Sequence, residues 1–191
     1  LDFSLNSLNF SKSEKHSKGH LFVKSIFNPK ANYFDNIAIT SNFEKVSNDN
    51  YLKLHKLDSK LIDNTDLLNS YISFNGIKQN TSMDISIEVY ENLSKPKSDR
   101  YEFVYPNYSI NNNFEYQNNI IENVTLSSYG HQKKYDTNIY EGIITNDILI
   151  SSFNSYTNSG IKNNFETFIK NVNSDGKNSD NFKNEFNQSI Y

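Results

Sequence analysis

Thr81 to Asn92 reads TSMDISIEVYEN, and apolar and polar residues alternate through it without a break. Met83, Ile85, Ile87 and Val89 fall on one side, and Asp84, Ser86, Glu88 and Tyr90 fall on the other. Successive side chains of a β-strand point to opposite faces, so this spacing predicts a strand with an oily face and an acidic one. A helix would scatter the same residues around its circumference. Which face meets water separates a soluble β-domain from a membrane barrel.

The surrounding composition narrows the choice. The chain has 191 residues, enough for one or two domains. Hydrophobic residues make up only 36%, below the roughly 45–50% usual for globular domains, and mean hydropathy is −0.71. Asparagine supplies about one residue in six. An A+T-rich gene would raise Asn, Lys, Ile, Tyr and Phe together, which accounts for part of that excess. With 13 Tyr and 14 Phe, the chain lacks the signature of intrinsic disorder. The net charge is −3 with both signs interspersed, so there is no one-sided basic stripe for nucleic acid. The absence of cysteine excludes disulfides and thiolate metal sites within these residues. No apolar run is long enough for a transmembrane helix. The opening LDFSLNSLNF has no signal-peptide pattern, and the closing NEFNQSIY reads like a strand. The chain therefore reads as an internal fragment of a longer protein, one domain over 1–191 without linkers or fixed-period repeats.

Strand patterns are expected at Leu1–Phe10, His20–Phe27, Asn32–Phe43, Tyr51–Leu57, Leu67–Asn75, Ser82–Glu91, Tyr101–Tyr105, Phe114–Tyr116, Ile121–Tyr129, Asn138–Phe153 and Ile161–Val172. Between them, LDSKLIDNTD (57–66) and NLSKPKSDR (92–100) read as long connections, and PNYSINNN (106–113) as an intermediate one. NGIKQN (75–80) and YTNSG (156–160) read as short ones. Many strands joined by turns, without helices between them, predict an all-β antiparallel up-and-down meander of about ten strands. Short turns at one end and longer loops at the other would suit part of a transmembrane β-barrel. Pro29, Pro96 and Pro106 are expected at strand ends or in loops. In TNIYEGIITNDILISSF (137–153), one face carries Tyr140, Ile144, Ile148 and Ile150, and the other carries Glu141, Thr145, Asp147 and Ser151.

Periodicity alone leaves two architectures open. In a soluble sandwich the oily face of MDISIEVY packs on a second sheet. In a barrel, Met83, Ile85, Ile87 and Val89 face lipid, while Asp84, Ser86, Glu88, Glu141 and Asp147 line a wet lumen. A low hydrophobic fraction favours the barrel, which needs no shared oily core. Tyr90, Tyr101, Tyr105 and Tyr108 would suit aromatic girdles at the bilayer interfaces.

Sites for chemistry are not expected. NVNSDGKNSDNF (171–182) spaces Asn171, Asn173, Asp175 and Gly176 like the start of a calcium loop, but Phe182 stands where a bidentate Glu is needed. His16, His20, His55 and His131 are scattered, and SKSEKHSKGH (11–20) reads as a polar loop. No nucleophile elbow or paired carboxylates suggest catalysis. An enzyme, a cofactor and a metal are therefore not expected.

Three stretches resemble the outer-membrane LPS-assembly (organic-solvent-tolerance, LptD) family. NDNYLKLHKLDSKLIDNT (48–65) is similar to a family segment carrying D-x-x-Y-L, here through Tyr51 and Leu52. IEVYENLSKPKSDRYEFVYPNYSI (87–110) is similar to the strand that follows, with Tyr90, Leu93 and Pro106 at matching places; the family's first proline there is missing. VTLSSYGHQKKYDTNIYEGIITN (124–146) is similar to the next hairpin, with Asp136 and Thr137 in its turn. The resemblance spans roughly Phe22 to Asn187 through degenerate motifs.

It implies a role as barrel wall in the translocon that inserts lipopolysaccharide into the outer leaflet of the cell outer membrane. It also implies a lumen-plugging outer-membrane lipoprotein (LptE-like) and a periplasmic bridge protein (LptA-like) as partners. The family's periplasmic jelly-roll and remaining strands do not fit in this length. The rivals are another large outer-membrane barrel, such as a nutrient receptor, and a secreted β-sandwich for carbohydrate binding or adhesion.

Overall fold

The computed structural model describes residues 1–10, 14–56, 59–116, 120–136, 139–177 and 183–190. The strands are β1 (Asp2–Phe10), β2 (Glu14–Phe27), β3 (Asn36–Val46), β4 (Leu67–Lys78), β5 (Thr81–Asn92), β6 (Tyr101–Glu115), β7 (Ile121–Tyr135), β8 (Ile139–Ser152), β11 (Glu166–Gly176) and β12 (Lys183–Ile190). All ten join one antiparallel sheet in the order β1-β2-β3-β4-β5-β6-β7-β8-β11-β12. A two-stranded hairpin of β9 (Ser155–Tyr156) and β10 (Lys162–Asn163) stands apart, and each strand of the large sheet pairs with the next one along the chain. The all-β antiparallel meander predicted from sequence is thus observed. Eight strands have neighbours on both sides, and the sheet is open, with β1 and β12 as its edges. No helix among the described residues is long and apolar enough to cross a membrane.

The sheet is a single layer. Substantial contacts of each strand are with its ladder neighbours alone. The accessible surface is 13524 Å², against roughly 9,400 Å² for a compact monomer of this mass. The excess is sheet face that nothing covers.

Several elements differ from the sequence reading. Tyr51–His55 is a one-turn helix, α1, rather than a strand. It starts where Asn48 folds back, its side-chain Oδ1 accepting from Asn50 N–H (2.9 Å) and its carbonyl from Tyr51 N–H (3.0 Å). It ends at Lys56 in the left-handed region (φ 47). Residues 14–20, read as loop, open β2. PNYSINNN, read as a connection, is the middle of β6. Pro106 is therefore inside a strand, at a bulge where the register shifts between Val104 and Asn107. A bulge leaves a position unpaired, so proline's missing N–H costs nothing there. The calcium-like run 171–176 is the end of β11. Leu57, Thr137 and Phe182 lie outside the described residues.

Short and long connections do not segregate to opposite ends. The excursions 47–66 and 93–100 share one end with the turn at Asp136; the two-residue turn 79–80 shares the other with 153–165.

One hydrophobic cluster anchors the sheet, and it sits where two strands part. The β3–β4 ladder stops at Asn42 opposite Tyr71, although both strands continue. Above that point the Glu44 carboxylate fills the gap, accepting from Asn69 N–H and from Asn42 Nδ2, each at 2.8 Å. Around the opening Phe22, Val46, Leu68 and Leu93 meet Tyr51 and Leu52 of the 47–66 excursion. Leu61 and Ile62 pack against them.

Candidate functional site

Residues opposite each other across an antiparallel ladder share a face. Three rows of the register therefore assign faces across the molecule. One runs Asn42–Tyr71–Glu88–Val104–Lys133–Glu141. The next face-sharing row runs Thr40–Ser73–Ser86–Asn107–His131–Ile143. Farther down runs Ser82–Asn111–Ser127–Asp147–Lys170. Asp84, Ser86, Glu88, Glu141 and Asp147 thus occupy one polar face. Met83, Ile85, Ile87 and Val89 occupy the other, with Ile39, Ile72, Phe74, Tyr108, Ile110, Leu126, Ile148 and Ile150.

Exposure is inverted relative to a soluble protein. On the apolar face Ile72 is 63% exposed and Ile87 57%, while on the polar face Thr145 is 4% exposed. No second sheet accounts for the difference, because the substantial contacts of each strand are with its ladder neighbours alone.

The polar face is a network centred on carboxylates. Glu88 accepts from Ser86 Oγ (2.6 Å), Tyr90 Oη and Asn107 Nδ2 (3.2 Å). Lys133 lies 3.5 Å from Glu102 and 4.0 Å from Glu141. Tyr135 Oη donates to Glu141 at 3.4 Å, and Lys170 lies 3.6 Å from Asp147. Asp84, more exposed, accepts from Asn75 Nδ2 at 2.6 Å. A groove of about 390 Å³ opens here, lined by Glu88, Tyr90, Glu102, Asn107, His131 and Lys133 among others. Carboxylates, amides, a phenol and an amine in one open groove suit hydroxyl-rich groups. Excess negative charge makes it a poor seat for a bare phosphate. Among the described residues no group of three His, Cys, Asp or Glu could hold a metal.

Of the family-like residues, Tyr51, Leu52 and Leu93 come together in the hydrophobic cluster. Tyr90 turns to the polar groove and Pro106 to the β6 bulge. Of the four tyrosines expected at strand ends, Tyr101 stands at one, Tyr105 is at the β6 bulge, Tyr90 is on the polar face and Tyr108 is mid-strand. Exposed aromatics near the opposite strand ends, Phe27, Tyr33, Phe114 and Phe153, escaped the sequence reading. So did Glu102, His131 and Lys133, because only the cross-strand register brings them to Glu88.

At the end carrying the excursions, Arg100 binds Asp49 through two hydrogen bonds of 2.8 and 2.6 Å. The guanidinium holds the Asp49 carboxyl below its ordinary value. Glu91 joins the same cluster, accepting from Lys45 Nζ at 2.8 Å and Tyr101 Oη at 2.9 Å.

No protein-family model, curated protein or solved structure matches the chain.

Proposed function

We propose that these strands are wall of a transmembrane β-barrel in the cell outer membrane, and that the barrel is the translocon inserting lipopolysaccharide into the outer leaflet. One observation carries the barrel reading: the sheet exposes its apolar face and shelters its polar one, with no second layer. A secreted sandwich needs two sheets over a shared dry core. A barrel needs one curved sheet, apolar outside and polar inside. The eight interior strands run 11 to 15 residues, beyond the ~9–11 required to cross a bilayer at a tilt. Closure of the open sheet then takes pairing at the free edges of β1 and β12.

The lipopolysaccharide part is supported by the resemblance of 48–65, 87–110 and 124–146 to the assembly family, and by a polar wall suited to sugar hydroxyls. In this role no bond is made or broken. Met83, Ile85, Ile87 and Val89 hold the wall in hydrocarbon; Asp84, Ser86, Glu88, Glu141 and Asp147 keep the passage hydrated. The lumen-plugging lipoprotein and the periplasmic bridge protein are the partners this role requires.

The test is a photo-crosslinking residue placed at Glu88 or Glu141 in the full-length protein in cells. Lipopolysaccharide adducts that disappear when supply from the periplasm is blocked are expected. A correctly assembled protein giving no such adduct at either position would overturn the translocon assignment.

A further inference from the structure

Where β3 and β4 part, side chains stand in for the missing backbone pairs, and some of their polar atoms have no partner. Ser70 Oγ accepts from Glu44 N–H at 3.0 Å and donates to the Glu44 carbonyl at 3.3 Å. On the polar face Asn42 Nδ2 donates to Glu44 Oε1 and to the Asn69 carbonyl, both at 2.8 Å. Both of these partners are acceptors only, which fixes the orientation of the Asn42 amide. Its Oδ1 is then buried without a donor, and so is Asn69 Oδ1. Asn42 as a whole is only 9% exposed.

A buried oxygen without a donor loses its hydration and gains nothing in exchange. Beside these two oxygens stands the Glu44 carboxylate, 6% exposed, and a charge at that depth needs a counter-charge. Among the described residues no ion pair reaches Glu44, and Lys45, next along β3, pairs with Glu91 instead. Lys24, opposite Asn42 on β2, is exposed. The field of its ammonium at Glu44 is opposed by that of Asp63.

We infer that Glu44, Asn42 and Asn69 form a binding site for a cation of the calcium class, which ties β3 to β4 where their ladder ends. The donors are oxygens alone, one group charged and two neutral, a set that suits a hard cation rather than zinc or copper. Each Glu44 oxygen accepts one hydrogen bond and keeps a lone pair for the ion. Calcium tolerates irregular coordination completed by water, whereas magnesium demands a near-ideal octahedron. A single carboxylate among neutral ligands makes a weak site, with a dissociation constant of about 0.1–1 mM. Two of the three ligands are amides, so the site has none of the clustered His, Cys, Asp or Glu that mark most metal centres.

The ion acts as a strut. The cluster of Phe22, Val46, Leu68 and Leu93, with α1 seated on it, surrounds the same opening. Loss of the ion therefore loosens the 47–66 excursion together with the seam. This inference stands on the β3–β4 seam alone and holds whether or not the sheet closes into a barrel.

The test uses the full-length protein in detergent micelles, stripped with a chelator. Equilibrium dialysis against radioactive calcium counts bound ions, and thermal unfolding in calcium or magnesium reads their effect on stability. Glu44→Gln should bind one calcium fewer than the unaltered protein and lose the calcium-dependent rise in its unfolding midpoint. Asn42→Asp keeps an oxygen in place and adds a charge, so it should bind calcium at least tenfold more tightly. A purely structural hydrogen bond predicts no such gain. Where either variant does not fold, Lys24→Gln decides: it touches none of the ligand oxygens and removes an opposing charge, and should tighten binding at least twofold. Equal calcium binding by the unaltered protein and every folded variant, or an equal response to magnesium, overturns the site and leaves these oxygens to water or to Lys24.

Discussion

At Gly130 the sheet has no space for a side chain, because a Cβ there would lie 2.2 Å from the Ile143 carbonyl oxygen on β8. Glycine allows β7 and β8 to approach, and Gly130→Ala must push the ladder apart. A loss of about 1–3 kcal/mol is expected from such overpacking, read as a lower midpoint of urea unfolding from detergent micelles. The neighbouring faces of β5 give a sharper contrast. In the proposed barrel Ile87→Arg places a cation on the hydrocarbon side, at a cost of roughly 2–4 kcal/mol near the midplane, and should block assembly of the full-length protein. Glu88→Arg, on the wetted side, should assemble at close to the normal level; immunoblots of outer-membrane fractions distinguish the two. Alternation over 83–90 was legible because every residue follows the period. The place of Glu44 was not, since a carboxylate bridging two parted strands leaves no periodic trace. Glu44→Ala leaves Asn69 N–H without its side-chain acceptor and removes one of the two acceptors of Asn42 Nδ2, the Asn69 carbonyl remaining, a loss of about 1–3 kcal/mol in the same unfolding assay.

Among the elements, the 47–66 excursion carries most of what the sequence concealed. Five residues of α1 are too few for a helical period to separate from a strand period, and the polar Asn48–Asp49–Asn50 run that turns the chain looks like any loop. β6 misled for a different reason. Asn107, Ser109, Asn111 and Asn113 look like a linker in isolation, yet they alternate with Tyr108, Ile110 and Phe114 and lie on the polar face. Treating Pro106 as a bulge rather than a break restores the period. The excursion also makes a pH prediction. The carboxyl of Asp49 has its pKa depressed by Arg100, so its contribution to stability is present above the unfolded value of about 3.9 and lost as pH falls through the lower folded value. Docking of 47–66 should therefore be flat from pH 8 to 5 and weaken only below about pH 4, with Asp49→Asn removing that part of the acid dependence. Proteolysis of the excursion at pH 5 and pH 3 reads it directly.

For the whole molecule, the decisive feature is the mismatch between composition and surface. A chain with 36% hydrophobic residues could fold as a soluble domain only by gathering them into a core, and the seven buried hydrophobic residues named among the described ones are far too few. Oily side chains such as Ile72, Ile87, Leu126 and Ile144 lie instead exposed on one face of the sheet. The antiparallel meander was legible from turn spacing and alternation. The rows that join residues of different strands on one face were not, because they depend on register between strands far apart in sequence. In the proposed barrel, adjacent residues of one strand meet lipid and water in turn. A nitroxide scan of positions 83 to 89 in the assembled protein in bilayers reads this alternation, comparing relaxation by oxygen with relaxation by a water-soluble nickel chelate. The expected result is oxygen contact at 83, 85, 87 and 89 and nickel contact at 84, 86 and 88. Shielding of the odd positions from both reagents, as in a dry protein interior, would contradict it.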